Sequence, residues 1–221
     1  MKRIVEPEVM SAEDQARAYA QADFETAHSS YPKLFAEKFP RRPGKAFALD
    51  LGCGPGDVTM RFAKLNPGYT IHAVDGSAAM LRYARAAVAR QKLSRRIKLV
   101  EGSIPGVPIP RRTYGVIFSS SFLHHLHHPQ VLWQTVQQFS RRGTVVFVPD
   151  LRRPNSKSQA RAMVKKYSGG EPEVLQRDFY NSLVAAFTPS EVRRQLRQAG
   201  LGGLQVEVVS DRHLLVFGTV V

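Results

Sequence analysis

From residue 46 onward, short apolar runs alternate with segments whose apolar positions recur at helical spacing. Ala46 to Asp50 is the first run, an apolar strand that ends in a carboxylate and leads into a glycine loop. The pattern predicts helix over Asp57 to Leu65, strand over Thr70 to Asp75 and an alanine-rich helix over Ser77 to Gln91. Strands at Ile97 to Glu101, Tyr114 to Ser120 and Thr144 to Pro149 follow, with a helix at Val131 to Phe139 between the last two. Regular alternation of strand and helix predicts an α/β chain with a mostly parallel sheet and helices on both faces. Near the end, a helix at Ser190 to Ala199 is stopped by Gly200, Gly202 and Gly203. Two strands then close the chain, Gln205 to Val209 and His213 to Val220, joined at Ser210-Asp211-Arg212. A terminal hairpin places one antiparallel strand in an otherwise parallel sheet.

Two stretches fall outside this rhythm. Ser11 to Phe39 reads as helical, with Ser11 as a capping residue and Ala16, Tyr19, Ala20 and Phe24 close to helical spacing. Pro40-Arg41-Arg42-Pro43-Gly44 breaks it. Residues 1–43 are therefore expected to form an N-terminal helical cap on a main domain of residues 44–221. Asp150 to Thr188 is polar, basic and aromatic, and residues 151–188 are expected to be an insertion after the fifth strand. Ligands of α/β sheets sit beyond the carboxyl ends of the strands, so such an insertion would lie over the site as a lid. Tyr167 and Asn181 in the insertion, with Tyr19 and Phe24 on the opposite wall, are the expected substrate contacts. The alternative is an ordinary helical elaboration that packs its aromatics into the core.

Bulk properties narrow the setting. No stretch approaches the ~20 apolar residues of a membrane span, and the mixed, charged Met1 to Met10 has no signal-peptide character. Cys53 is the only cysteine, which excludes an intrachain disulfide and fits a reducing compartment. A cytoplasmic location is expected. The net charge of +14 favours acidic partners, whether nucleic acid, anionic lipid or an anionic small substrate. The basic residues are scattered as doublets such as Arg41-Arg42, Arg95-Arg96 and Arg193-Arg194, the usual form of a solvated surface.

The glycine loop carries the most chemistry. Asp50-Leu51-Gly52-Cys53-Gly54-Pro55-Gly56 has Gly-x-Gly-x-Gly spacing, unlike the G-x-G-x-x-G of dinucleotide sites. Pro55 offers no amide donor where a pyrophosphate would need one. Asp50 would repel a phosphate and attract a cationic amino acid tail. Asp75, 23 residues after Gly52 and at the end of the next strand, can accept hydrogen bonds from both hydroxyls of a ribose. Together these features describe a nucleoside with a zwitterionic tail.

At this point the chain resembles a known family. Ala48 to Gly56 is similar to the first motif of class I S-adenosylmethionine-dependent methyltransferases, and Val74-Asp75-Gly76-Ser77-Ala78-Ala79-Met80-Leu81 to their second. Val100-Glu101-Gly102-Ser103 resembles the third, with Ser103 where the family usually has an aspartate that meets the adenine amine. Val116 to Leu126 resembles the fourth strand and its Leu-His-His exit. The resemblance implies a Rossmann-like seven-stranded sheet with its last strand antiparallel, and S-adenosylmethionine as cofactor. It implies cofactor contacts from Asp50, Gly52, Gly54, Asp75, Gly76, Met80, Gly102, Ser103, Ser120 and Ser121.

For the reaction itself the residues say less. The methyl of a sulfonium is already activated, so alignment of a nucleophile is the main requirement, and a base is needed only for a weakly nucleophilic acceptor. His124, Asp150 and Tyr180 are the candidates for catalysis. His124, His125, His127 and His128 form a dense cluster, but it contains no cysteine or carboxylate, and adjacent histidines cannot all converge on one ion. No metal is expected. Cys53 reads as a small residue in a tight turn. The expected function is methyl transfer to a small-molecule acceptor. An RNA or protein methyltransferase is the alternative that the charge suggests, although no Asn-Pro-Pro-Tyr motif and no separate RNA-binding domain stand in the sequence. A cofactor-binding module without catalysis is the third reading.

Overall fold

The computed structural model describes residues 1–7, 13, 17, 19 and 28–221. Phe24 and most of the helix expected before residue 28 lie outside the described residues. After helix α1 (Ser30–Lys38) come β1 (Ala46–Leu51), α2 (Asp57–Leu65), β2 (Tyr69–Asp75), α3 (Ala78–Arg90) and β3 (Ile97–Glu101). The second half runs β4 (Val116–Phe118), a short 3-10 turn (Leu123–His125), α4 (Gln130–Phe139) and β5 (Val145–Leu151). It continues through α5 (Lys157–Ser168), α6 (Glu173–Ala185), α7 (Pro189–Gln198), β6 (Gln205–Val208) and β7 (His213–Thr219).

Among the described residues these strands form one seven-stranded sheet in the order β3-β2-β1-β4-β5-β7-β6. Pairings from β3 across to β5 are parallel, whereas β7 runs antiparallel to both β5 and β6. The expected closing hairpin therefore supplies the antiparallel strand. The order reverses between β1 and β4, where the chain leaves β1 to build one half and returns to build the other. A crevice opens at such a switch point, beyond the carboxyl ends of the strands.

Alternation along each strand divides the core into two layers. Ala48, Ile71, Ala73, Phe118 and Phe147 face one side and pack with Tyr31 and Phe35 of α1 and Val58 and Phe62 of α2. Leu49, Leu51, Val74, Ile117, Val146 and Val148 face the other and meet Leu132, Trp133 and Val136 of α4 and Val192 and Leu196 of α7. That is the period-2 reading of buried strands, each face being covered by helices. The helix starts are chemically marked. Ser77 accepts the Met80 N–H at the start of α3, and Thr188 with Glu191 forms a capping box at the start of α7, where Pro189 sits at the first position.

The fourth strand is shorter than its apolar run suggests. Beyond Phe118 the Ser119 hydroxyl, not its backbone, donates to the Leu51 carbonyl of β1 (2.6 Å), while the N–H groups of Ser119 and Ser121 still donate to Phe147 and Pro149 of β5 before a left-handed φ of 51° at Ser121 turns the chain. The 151–188 insertion forms the helix pair α5 and α6. The pair has a small core of its own, Leu151, Ala160, Met163, Leu183, Val184 and Ala186, with Phe179 and Tyr180 packed against it. Residues 1–7 lie along this pair, and the Ile4 N–H donates to the Val184 carbonyl (3.0 Å). Among the described residues no helix is long and apolar enough to cross a membrane.

Phe62 ties α2 to the sheet: its ring stacks on Phe118 at 4.3 Å between centroids and touches Phe35 and Phe147. Truncation of a fully buried phenylalanine leaves a cavity as well as lost transfer energy, about 3–5 kcal/mol. Phe62→Ala is expected to lose that much stability in urea unfolding. A loss under about 1 kcal/mol would contradict this packing.

Candidate functional site

The loop after β1 is built from backbone geometry that only glycine adopts freely. Gly52, Gly54 and Gly56 have φ of 75°, 53° and 84°. The N–H groups of Gly52 and Cys53 both donate to the Val74 carbonyl (2.9 and 3.0 Å), which lays the loop across the end of β2. At Gly52 there is a second constraint: a Cβ would stand 2.3 Å from the Phe122 ring. Asp75 completes the arrangement. Its Oδ2 accepts the Gly54 N–H (2.7 Å) and its Oδ1 accepts the Ser77 N–H (2.8 Å), so one carboxylate holds both the loop and the start of α3. Burial raises the Asp75 pKa and the two N–H bonds oppose that rise. Each carboxylate oxygen has more than one acceptor site, so Asp75 keeps capacity for further donors.

A cleft of about 1040 Å3, including its solvent-open mouth, lies beyond this loop at the β1/β4 switch point. Of the expected cofactor residues, Gly52, Gly54, Asp75, Gly76 and Met80 line it from one side. Gly102 and Ser103 after β3 and Ser120 and Ser121 after β4 line it as well. Ser103 stands so close to Gly76 that a Cβ there would lie 2.7 Å from its hydroxyl. Tyr19 also lines the cleft, beside His28.

Asp50 is placed differently: it sits behind the loop, 1% exposed and outside the lining. Thr59 donates to its Oδ2 (2.5 Å), and its Oδ1 is buried with no hydrogen-bond partner. Burial pushes the Asp50 pKa up to about 7; the Thr59 bond opposes the rise and the negative charge of Asp75 adds to it.

The expected catalytic residues do not meet in the cleft lining. Asp150 and His124 form a buried pair behind the wall that His125 and Leu126 provide. The His124 Nδ1–H donates to Asp150 Oδ1 (2.6 Å), while Asp150 Oδ2 accepts the N–H groups of Phe122 and Leu123 (both 2.8 Å). Asp150 thus fastens the turn that presents Phe122 to Gly52. Tyr180 packs against the core of the helix pair. Asn181 lies on α6 outside the lining, and so does Tyr167, whose hydroxyl donates to Asp211 (2.5 Å) under the Arg212 guanidinium. Sequence reasoning did not pick out Phe122, His125, Leu126 or Cys53 as lining residues. Only Cys53 carried a signal, its place inside the loop. Burial raises its thiol pKa well above the ordinary value, which leaves it an unreactive packing group.

Residues 48–143 match the family model of a methyltransferase domain. Over that stretch the chain is similar to methyltransferase domains, and its fold is the one that class I S-adenosylmethionine-dependent methyltransferases share. An Aquifex aeolicus SAM-dependent methyltransferase has a similar structure, with a TM-score of 0.70 at 17% identity, covering 95% of this chain and 99% of that one. A putative S-adenosylmethionine-dependent methyltransferase of Methanococcus maripaludis matches at a TM-score of 0.70 and 16% identity, over 99% and 96% of the two chains. Among curated proteins, a release factor glutamine methyltransferase of Gloeobacter violaceus is 35% identical over 85 residues, 38% of this chain and 29% of that protein. An uncharacterized methyltransferase of Schizosaccharomyces pombe is 28% identical over 103 residues, 44% and 37% of the two. The chain thus matches about a third of the length of these curated relatives.

The cofactor that this fold implies is S-adenosylmethionine, and the residues present fit it. The glycine backbone leaves room for close approach, the Asp75 carboxylate borders the cleft, and the orphaned buried Asp50 oxygen is the kind of acceptor that a nearby ammonium satisfies.

Asp50 also sets a pH dependence. Its pKa is near 7 in the folded protein and near the ordinary aspartate value of 3.8 in the unfolded chain, so the folded state binds the extra proton between those values. The cofactor-free methyltransferase should therefore lose stability as pH rises from about 4 to about 7. Asp50→Asn should remove that slope in urea midpoints. Parallel slopes for the two proteins would contradict the burial described.

Proposed function

We propose that this methyltransferase transfers a methyl group from S-adenosylmethionine to a small-molecule acceptor bound in the same cleft. The observation that carries the reading is the set of side chains that wall the cleft. Tyr19 and His28 from the N-terminal segment stand on its wall together with Phe122, His125 and Leu126 from the β4 exit. A walled pocket suits a compact acceptor, which it can strip of water and hold in line.

Gly52 and Gly54 would flank the methionine part of the cofactor, Asp75 would accept the ribose hydroxyls, and Asp50 would face the ammonium. Gly102 and Ser103 would border the adenine, with the serine hydroxyl in place of the family's carboxylate. The cofactor supplies an electrophilic methyl on a positively charged sulfur. What the chain itself must do is exclude water and align the acceptor. Residues 1–43 would then act as a cap and residues 151–188 as a lid beyond the end of β5, with Tyr167 and Asn181 reaching the acceptor only if the helix pair closes. Where the acceptor is a hydroxyl, the buried His124–Asp150 pair behind the β4 exit would take its proton, and Tyr180 would be the hydroxyl on the adjoining helix pair.

Incubation with methyl-labelled S-adenosylmethionine and a metabolite extract should give one labelled small product by mass spectrometry. Label found only in RNA or protein, with binding that weakens steeply with salt, would replace the reading by its alternative. The cofactor assignment is checked separately by calorimetry. Asp75→Ala is expected to weaken cofactor binding at least about tenfold, the equivalent of one lost hydrogen bond to a charged group. Equal affinity in a folded variant would sink the ribose assignment.

A further inference from the structure

The first seven residues are tied down more firmly than a chain end requires. Arg3 donates through Nε to the Ala185 carbonyl and through one terminal nitrogen to the carbonyls of His124 and Leu126 (both 2.9 Å). Its guanidinium lies 4.0 Å over the Phe187 ring. The His127 ring bonds the Glu6 carbonyl (2.7 Å). These contacts carry the Glu6 side chain into the histidine turn. Its Oε1 stands 3.2 Å from His125 Nδ1 and 3.7 Å from His124 Nε2.

Hydrogen bonding does not explain that approach. Among the described residues, neither Glu6 Oε1 nor His125 Nδ1 has a hydrogen-bond partner, although both atoms are buried. Two lone-pair-bearing atoms that face each other out of water are costly unless something positive sits between them. The other ring nitrogens are already committed. His124 Nδ1–H donates to Asp150 and the His125 ring bonds the Pro7 carbonyl, which directs the remaining nitrogen of each ring toward the carboxylate. A histidine held by a carboxylate or a backbone carbonyl on one nitrogen is the usual outer-sphere arrangement of a histidine that ligates metal through the other.

The spacing agrees with that use. One donor atom from each of Glu6, His124 and His125 lies within 4.8 Å of the others. Donors about 2.0–2.1 Å from a tetrahedral ion are about 3.3 Å apart, between the two contacts made by Glu6. We propose that Glu6, His124 and His125 bind a divalent transition-metal ion of the zinc class, which pins the N-terminal segment to the wall of the cofactor cleft. Two imidazoles and one carboxylate are a borderline donor set that suits zinc. Three protein ligands leave a tetrahedral ion one position for water or substrate, the pattern of catalytic sites. Since His125 lines the cleft, that position belongs to the cleft wall.

The full chain, freed of metal with chelator and dialysed, is titrated with Zn2+ by calorimetry and with Co2+ by visible absorption. The expected result is one equivalent bound, with the strong absorption of four-coordinate cobalt and a rise in the melting temperature. Glu6→Gln and His125→Asn should each weaken binding at least about tenfold, while His128→Asn, at an exposed position, should leave it unchanged. Absence of saturable binding by the wild type overturns the proposal. So does unchanged affinity in either Glu6→Gln or His125→Asn, with its fold confirmed by circular dichroism. Metal binding is the readout throughout, so failure here is separable from failure of the methyl-transfer reading.

Discussion

One carboxylate joins the parts of this site. Asp75 accepts N–H groups from Gly54 in the first loop and from Ser77 at the start of α3, so the ends of β1 and β2 are locked at one distance. Those bonds are short and charge-assisted, and they are partly buried, which weakens competition from water. The glycine backbone makes the bond to the loop possible, because a left-handed φ at residue 54 turns the amide toward the carboxylate. Phe122 closes the loop from the other side, and Asp150 holds Phe122 in turn by accepting its N–H. The cleft is therefore shaped by two aspartates on neighbouring halves of the sheet, Asp75 in its lining and Asp150 buried behind it, with the switch point between them.

The architecture was legible because it rests on periodicity. Strands buried on both faces read as apolar runs and the covering helices as spaced apolar positions, so most ends agree with the reading to within a residue or two. The closing hairpin was equally plain, and it places the antiparallel strand correctly. β4 was over-extended because an apolar run does not reveal where a serine side chain will capture a neighbouring carbonyl and turn the chain away.

Within the site, legibility followed chain proximity. Gly52, Gly54 and Asp75 were recognisable because each stands at a strand end, where spacing alone assigns a place. Thr59, in the first turn of α2, holds one oxygen of Asp50 behind the loop and leaves the other without a partner, a contact that spacing does not record. The carboxylate that approaches the histidine cluster is not its neighbour in sequence. Glu6 arrives from the N-terminus only through the Arg3 and Ile4 contacts, and no local pattern announces them. Long-range docking of a chain end is set by tertiary packing, which one-dimensional spacing does not record.

The account depends on Asp75 and the glycine loop as the seat of the cofactor. A crystal structure with S-adenosylhomocysteine bound tests this most directly. The account predicts both ribose hydroxyls within hydrogen-bond distance of the Asp75 carboxylate and the amino acid tail against Gly52 and Gly54. A nucleoside seated elsewhere, or one whose ribose leaves Asp75 bonded only to Gly54 and Ser77, would contradict it.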